Sequence, residues 1–297
     1  MTRVLVTGAT GFIGRYLIPH LLQQEDTAVI ALLRETYTPD ALPGHLATAR
    51  SQLELAYADL RNFQLTVRAL RQAEPDIVIH LAAAGVTDPF LAVDTAVRHN
   101  LTATLNLIRA CFEKTFTTEQ LIMARTPGEL TSMNVYAASK AAAWQFCRMY
   151  ARTQQWPIHG TMIFQTYGPG QSQRTLIPAA LTAARAGEDF PMTAGSQQRD
   201  WIHADDVAAG LVAMIEADLQ PGQTVELGTG TLTSVAEVVQ QIYALVGGQG
   251  QPLLGVLPGR PGEAETQVAN VRATRQLLGW QSQISLAEGL RQMIREA

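Results

Sequence analysis

A tyrosine and a lysine four residues apart, Tyr136 and Lys140, are the side chains in this sequence best suited to chemistry. On a helix, residues at this spacing share one face, so the lysine ammonium would lie beneath the tyrosine phenol. A nearby cation stabilises phenolate, so we expect the pKa of Tyr136 to fall from about 10 towards neutrality. Such a phenol passes a proton to or from a carbonyl or alcohol oxygen during hydride transfer. The alternative is an ordinary Tyr/Lys pair on a helix surface.

A glycine-rich stretch near the start of the chain supplies a partner for that chemistry. Gly8, Gly11 and Gly14 follow the apolar run 4–6 and precede residues with helical periodicity. This order predicts a strand, a tight turn and a helix, with backbone N–H groups aimed at the pyrophosphate of a dinucleotide. Gly8 would permit the turn, Gly11 would let the phosphates approach, and Gly14 would let the helix pack closely. The alternative is a glycine-rich turn that binds nothing.

The end of the second predicted strand indicates which dinucleotide fits. An acidic residue there usually binds the ribose 2′-hydroxyl of NAD, whereas a nearby arginine suits the 2′-phosphate of NADP. Leu33 occupies that position, Arg34 follows it, and the acid Glu35 comes late. The pattern favours NADP, with NAD as the alternative. Asp59 is placed to accept a hydrogen bond from the adenine amino group, or is a turn aspartate.

The elements that must position these residues alternate between strand and helix through the first half of the chain. Unbroken apolar runs are typical of strands buried on both faces. The alternation predicts an α/β fold, a Rossmann-type doubly wound parallel sheet. Predicted strands cover 4–6, 28–33, 53–56, 77–81, 120–124, 158–164 and 224–227, and predicted helices cover 13–23, 62–73, 94–113, 135–152, 175–186, 206–217, 234–246 and a last helix from about 286.

The pattern changes after Tyr167-Gly168-Pro169-Gly170, which predicts a second unit. We expect residues 1–166 to form a dinucleotide-binding domain, with 195–225 returning to it. Residues 167–297 would then form mostly a smaller C-terminal α/β substrate lobe.

Composition excludes several classes of partner. The 297 residues are 47% hydrophobic and 16% charged, with a net charge of −4, which gives no reason to expect nucleic acid or an anionic membrane. Cys111 and Cys147 lie far apart, which favours a reducing compartment over a disulfide or metal framework. The chain enters a strand at once, without a predicted leader or membrane-length apolar run, so we expect a cytoplasmic protein.

Several motifs together resemble the extended short-chain dehydrogenase/reductase family, also called the NAD-dependent epimerase/dehydratase family, across nearly the whole chain. They include the glycine turn, the tyrosine and lysine pair, and motifs in the C-terminal half. The motifs are Thr7–Gly14, Asp59-Leu60, His80–Ala83, Asn100 with Thr104 and Asn106, Tyr136–Lys140, Tyr167–Gly170, Gln198–His203, Arg260–Gly262 and Leu278–Trp280.

The resemblance implies roles for individual residues. Tyr136 would be the general acid or base, Lys140 would also hold the nicotinamide ribose, Thr126 would bind the reacting oxygen, and Asn100 would support the proton relay. Arginines would grip a substrate diphosphate, which suits bidentate guanidinium contacts. The implied cofactor contacts are Gly8, Thr10, Gly11, Phe12, Ile13, Gly14, Arg34, Asp59, Leu60, Leu81, Ala82, Ala83, Tyr136 and Lys140, and the substrate contacts are Gln165, Arg174, Arg199 and Arg260. Helices 94–113 and 135–152 would pair in a homodimer.

Departures from the family pattern narrow the expected reaction. Thr126 lies only ten residues before Tyr136, where epimerases and dehydratases of the family carry a longer segment, so Ser132 or Thr131 are alternative hydroxyl donors. Arg125 stands where the family has a small residue. The Asp-Glu pair of a 4,6-dehydratase is missing. The short segment therefore resembles nucleotide-sugar 4-ketoreductases, which generally use NADPH.

Two other functions remain open. One is a nucleotide-sugar epimerase that keeps NAD(P) bound and returns the hydride to the other face. The other is a non-catalytic NADP-binding regulator. No metal is expected, because Asp205 or Asp206 would cap a helix rather than join His203 in a metal site. His80 is expected to be structural.

Overall fold

The computed structural model describes residues 1–35, 41–88, 90–115, 118–259 and 262–296. Its strands are β1 (Thr2–Thr7), β2 (Thr27–Leu33), β3 (Leu53–Tyr57), β4 (Ile77–His80), β5 (Gln120–Arg125), β6 (Ile158–Ile163), β7 (Gln165–Tyr167), β8 (Phe190–Pro191), β9 (Gln198–His203), β10 (Thr224–Leu227), β11 (Leu232–Ser234), β12 (Pro252–Leu253) and β13 (Thr266–Gln267). Its helices are α1 (Phe12–Leu22), α2 (Gly44–Thr48), α3 (Phe63–Ala73), α4 (Val93–Ala96), α5 (Ala103–Arg109), α6 (Val135–Gln154), α7 (Leu176–Ala186), α8 (Ala204–Ala213), α9 (Val235–Val246), α10 (Val271–Leu278) and α11 (Leu286–Glu296).

Seven strands form one parallel sheet in the order β10-β6-β5-β4-β1-β2-β3. The chain runs outwards from β1 to β3 and then crosses to β4 on the other side of β1. This reversal makes a crevice at the carboxyl ends of β1 and β4, where such sheets bind ligands. The predicted Rossmann-type sheet is therefore confirmed.

Side chains alternate between the two faces of this sheet, and each face is covered by helices. Val4 and Val6 of β1 pack on the face that carries α1 and α8, whereas Leu5 packs on the face of α3, α5 and α6. Both faces are buried, as the continuous apolar runs predicted. The rigid sheet fixes the strand ends from which the site residues project.

A smaller lobe lies beyond β6. Strand β9 is its centre, pairing with β11 and β13 in one sheet and with β7. Helices α7, α9 and α11 share a separate core that contains Trp201 and Tyr167. The chain also returns from this lobe to the main sheet, because β10 pairs with β6 and α8 contacts α1.

The structure departs from the sequence expectations in three places. The helix expected over 94–113 contains two π-helical segments, Val97–Thr102 and Ala110–Thr115, on either side of α5. The cap expected from Asp205 or Asp206 is wrong: His203 caps α8, its Nδ1 accepting the Asp205 N–H at 3.3 Å. The strands of two or three residues and α2 were missed because such short elements carry no readable periodicity, and β9 and α10 were missed because neither contains an apolar run.

The described parts of the chain contain neither a membrane-spanning helix nor a metal-binding cluster. No helix there is long and apolar enough to span a membrane. No group of three or more His, Cys, Asp or Glu side chains there is arranged to hold a metal ion.

Candidate functional site

The glycine turn joins β1 to α1 and lies against the loop that follows β4. Gly8 has a φ of 72°, and a Cβ on it would come within 2.7 Å of the Ala82 nitrogen. A Cβ on Gly14 would come within 2.6 Å of the carbonyl oxygens of Gly8 and Ala9, so the helix start packs tightly on the turn. Only glycine meets both requirements.

The start of α1 is suited to an anion. Its N-cap is Gly11, which offers no side-chain acceptor to the first-turn N–H groups of Phe12 and Ile13. Those groups have no helical partner at any helix N-terminus and carry the positive end of the helix dipole. Gly11 and its neighbour Thr10 are both exposed. The turn therefore fits the pyrophosphate of a dinucleotide, which the implied cofactor contains.

Basic and polar side chains lie close to the carboxyl ends of β2 and β3, where the sequence predicted contacts with the adenosine. Arg34 follows β2, is exposed, and pairs with its neighbour Glu35 at 2.6 Å. Asp59 is bound by Arg61 at 2.6 Å, and that hydrogen bond lowers the pKa of the Asp59 carboxyl. Arg61 also lies 3.2 Å from His99. Asp59 is thus engaged by Arg61 rather than free for adenine.

Tyr136 and Lys140 lie on one face at the start of α6. Asn134 caps this helix by accepting the Ala137 N–H at 2.9 Å, which fixes Tyr136 in the first turn. Lys140 is 2% exposed. Among the described residues, neither the Tyr136 hydroxyl nor the Lys140 ammonium has a hydrogen-bond partner, so both are available to a ligand.

The expected direction of the tyrosine pKa is wrong for the protein without a ligand. Burial raises the pKa of Tyr136, and the Glu129 carboxylate raises it further. Burial also lowers the pKa of Lys140. Desolvation and Glu129 set the direction of the Tyr136 shift, and the Lys140 ammonium does not contribute the lowering that the sequence suggested. The phenol is protonated at neutral pH.

Thr126 follows β5 and begins a short 3-10 helix, Pro127–Leu130. Its N–H donates to Glu129 Oε1 at 3.0 Å, and Glu129 Oε2 accepts from Arg125 Nε at 2.9 Å. The alternative hydroxyls of Thr131 and Ser132 are exposed in the turn that follows, where Ser132 has a φ of 50°.

A chain of hydrogen bonds connects the glycine turn to the tyrosine helix. Thr7 Oγ1 accepts the Ala82 N–H and contacts His80 Nδ1 at 2.7 Å, and His80 Nε2 contacts Thr104 Oγ1. Thr104 donates to the Asn100 carbonyl. His80 is fully buried, and burial lowers its pKa to about 3, so it is a neutral linker.

Asn100 completes this connection from the first π-helical segment. Its side chain accepts the Ala84 N–H and donates to the Ala84 carbonyl and to Ser139 Oγ, at 2.8, 3.0 and 3.0 Å. Ser139 in turn donates to the Tyr136 carbonyl at 2.7 Å. Asn100 therefore holds the loop after Leu81–Ala83 against the start of α6.

The substrate candidates of the smaller lobe are more dispersed. Arg199 on β9 is 5% exposed and pairs with Glu263 at 2.9 Å. Gln165 on β7 and Arg174 before α7 are exposed. Arg260 lies outside the described residues. The structure thus gives Arg199 an internal anionic partner.

Three residues of this site were missed by the sequence reasoning. Glu129 was detectable, because Thr-x-x-Glu is the signature of a helix start. Ser139 lies inside the Tyr136–Lys140 motif, and Glu263 follows the Arg260–Gly262 motif, but neither has a partner close in sequence. Their contacts arise only when distant elements pack.

Several known proteins are similar to this chain in sequence. Residues 4–228 match the sequence profile of the NAD dependent epimerase/dehydratase family. A UDP-glucose 4-epimerase of Mycolicibacterium smegmatis is 30% identical, over 97% of this chain and 96% of the relative. The low-salt glycan biosynthesis protein Agl12 of Haloferax volcanii is 28% identical, over 97% and 96%. A dTDP-glucose 4,6-dehydratase of Neisseria gonorrhoeae is 26% identical, over 98% and 94%.

A solved structure has the same fold over the full length. The UDP-glucuronic acid 4-epimerase of Bacillus cereus, in complex with UDP-glucuronic acid and NAD, superimposes with a TM-score of 0.87. It is 22% identical, and the match covers 99% of this chain and 98% of that chain.

Proposed function

Because the chain belongs to the NAD dependent epimerase/dehydratase family, we propose that it is an NADPH-dependent reductase of a nucleotide-activated 4-keto-6-deoxysugar. The observation that carries the proposal is the short segment between Thr126 and Tyr136. Its one carboxylate, Glu129, has one oxygen bound to the Thr126 N–H and the other to Arg125. A 4,6-dehydratase needs free carboxyl groups to remove water from the sugar, and this segment supplies none.

Each side chain has a definite task in this reaction. NADPH supplies the hydride when it is bound. Tyr136 donates its proton to the keto oxygen, which agrees with a phenol that is protonated at neutral pH. Thr126 orients that oxygen by a hydrogen bond, and Lys140 holds the nicotinamide ribose. Asn100 fixes the loop after β4 against Tyr136 and so sets the distance between cofactor and phenol.

The choice of NADP rests on the end of β2. Leu33 is buried and carries no carboxylate, and Arg34 is exposed beside it. The Arg34 guanidinium can pair with a 2′-phosphate when its ion pair with Glu35 breaks. Arg34 is thus the residue that would distinguish NADPH from NADH.

The substrate would lie between the main sheet and the smaller lobe, which residues 167–297 mostly form. Arg199 is the diphosphate ligand within the described residues, and Arg260, Arg174 and Gln165 are further candidates. We also propose that the exposed faces of the 93–115 helix and of α6 form a homodimer interface.

The test is NADPH oxidation with a panel of nucleotide-linked 4-keto-6-deoxysugars. We expect turnover with at least one member, and Tyr136→Phe should abolish it while NADPH still binds. Undetectable oxidation across the panel by a protein that binds NADPH would refute the reductase.

An epimerase is the second candidate, because a UDP-glucose 4-epimerase is 30% identical to the chain. It would retain its cofactor through purification and isomerise a nucleotide sugar without consuming reductant. A non-catalytic regulator would bind NADPH, and Tyr136→Phe would leave its function unchanged.

A further inference from the structure

A buried ion pair lies directly behind the candidate active site. Arg125 Nε donates to Glu129 Oε2 at 2.9 Å, and the two side chains are 10% and 1% exposed. Buried charges are costly unless each is paired and hydrogen-bonded. Surface pairs of this kind, by contrast, contribute little. The burial of this pair therefore requires dedicated support from the surrounding fold.

The fold supplies that support to Arg125. Its Nη1 donates to Thr224 Oγ1 at 2.9 Å, and its guanidinium lies 4.6 Å from the centre of the Trp144 ring. Gly160 on the neighbouring strand makes the room, since a Cβ there would come within 2.8 Å of Arg125 Cδ. Three separate elements thus accommodate one arginine.

Glu129 connects this support to the reacting groups. Its Oε1 accepts the Thr126 N–H at 3.0 Å, and the Thr126 carbonyl accepts the Glu129 N–H at 3.0 Å. The turn also packs on α6, where a Cβ on Gly128 would lie 3.3 Å from the Ala137 side chain. Ala137 is the residue after Tyr136. The turn that carries Glu129 is therefore held both to Thr126 and to the first turn of α6, where Tyr136 lies.

We propose that Glu129, held by Arg125, is a positioning residue for the reaction at Tyr136. It fixes Thr126 in place of the longer segment and anchors the turn that packs on the first turn of α6. The inference rests on the proposed function, in which Tyr136 donates a proton. Both Glu129 oxygens are engaged, so Glu129 acts through Tyr136 and Thr126 rather than as an acid or base itself.

The charge has a predictable effect on proton transfer. The titratable groups around the Glu129 carboxylate come from three elements. They are Arg125 at the end of β5, Lys140 and Cys147 on α6, and His80 on β4, which lies near Lys140. After burial, the Glu129 charge is the second cause that raises the pKa of the Tyr136 phenol, so Tyr136 remains a proton donor to higher pH. This favours carbonyl reduction over alcohol oxidation.

The experiment is Glu129→Gln, with Glu113→Gln as the matched control. Glu113 pairs with Arg109 at the same four-residue spacing on the surface. The upper pH limit of NADPH-dependent reduction should fall by about one unit in Glu129→Gln, because a neighbouring charge typically moves a pKa by that much. It should stay unchanged in Glu113→Gln. Glu129→Asp should restore the limit while kcat stays low, because the shorter side chain no longer supports Thr126.

A second readout is independent of turnover. With NADP⁺ bound, the phenolate absorbance of Tyr136 is obtained by subtracting the spectrum of the same protein that also carries Tyr136→Phe. The pH midpoint of this difference should be lower in Glu129→Gln than in the unchanged protein. An unchanged midpoint overturns the inference even if the protein reduces a sugar, whereas a lowered midpoint supports it even if no sugar is reduced. If Glu129→Gln does not fold, the double variant Arg125→Gln/Glu129→Gln leaves no unpaired charge and is titrated in its place.

Discussion

Asp200 is a buried carboxylate that connects the smaller lobe to neighbouring segments. It lies on β9, is 0% exposed, and accepts four hydrogen bonds. Oδ1 binds the N–H and hydroxyl of Thr229, both at 2.7 Å, and Oδ2 binds the N–H groups of Gly230 and Ala269 at 2.9 and 3.1 Å. One side chain thus ties β9 to the turn after β10 and to the segment before α10.

Asp200→Asn changes this arrangement without changing its size. The asparagine oxygen can keep two of the four donors, but its NH2 group faces the other two. Two charge-assisted hydrogen bonds are lost, at about 1.5–3 kcal/mol each, so the free energy of unfolding should fall by about 3–6 kcal/mol.

Urea unfolding measures this loss directly, with Asp205→Asn as the control. Asp205 is 48% exposed and has one ion-pair partner, His20, so its variant should lose less than about 1 kcal/mol. If Asp200→Asn is as stable as Asp205→Asn, the four contacts do not carry the stability assigned to them.

Further expectations concern the cofactor, the substrate and pH. Arg34→Ala should weaken NADPH binding about tenfold, the value of one exposed charge-assisted contact, and leave NADH binding unchanged in a fluorescence titration. An equal loss for both cofactors would contradict the assigned role. Glu263→Gln should raise the affinity for UDP or dTDP several-fold by calorimetry, because Glu263 competes for Arg199, whereas Arg199→Ala should lower it. An unaltered affinity in Glu263→Gln would show that the pair does not compete. Burial lowers the pKa of His80 from 6.5 to about 3, so the unfolded chain binds the extra proton. Stability should be complete above pH 6.5 and fall by about 1.4 kcal/mol per unit as the pH drops towards 3. His80→Gln should flatten that slope in thermal unfolding, and an unchanged slope would assign it to other groups.

The local sequence pattern was sufficient to predict the main sheet and the glycine turn between β1 and α1. The apolar runs predicted the seven strands of the main sheet to within a few residues, because a parallel sheet buried on both faces requires continuous apolar sequence. The spacing of Gly8, Gly11 and Gly14 predicted a turn whose geometry admits only small residues. Both inferences depend on residues that are neighbours along the chain.

The strands of the C-terminal lobe could not be predicted from the sequence. Five of its described strands are only two or three residues long, so they are defined by their partners rather than by their own periodicity, and the longer β9 begins with the polar residues Gln198, Arg199 and Asp200. The cap of α8 was also misassigned, because a histidine was not expected to do what an aspartate commonly does.

The sequence by itself determined the family and the fold, and it predicted Tyr136 and Lys140 as the reacting pair. Only the tertiary structure decided the electrostatics of that pair. Burial and Glu129 raise the pKa of the phenol, although the lysine spacing alone predicted the reverse. The physical reason is that desolvation and charge depend on every element packed around a group. Arg125, the partner of Glu129, is held by Thr224 on β10 and by Trp144 on α6. Thr224 lies far from Glu129 in sequence, so no local sequence pattern predicts this contact.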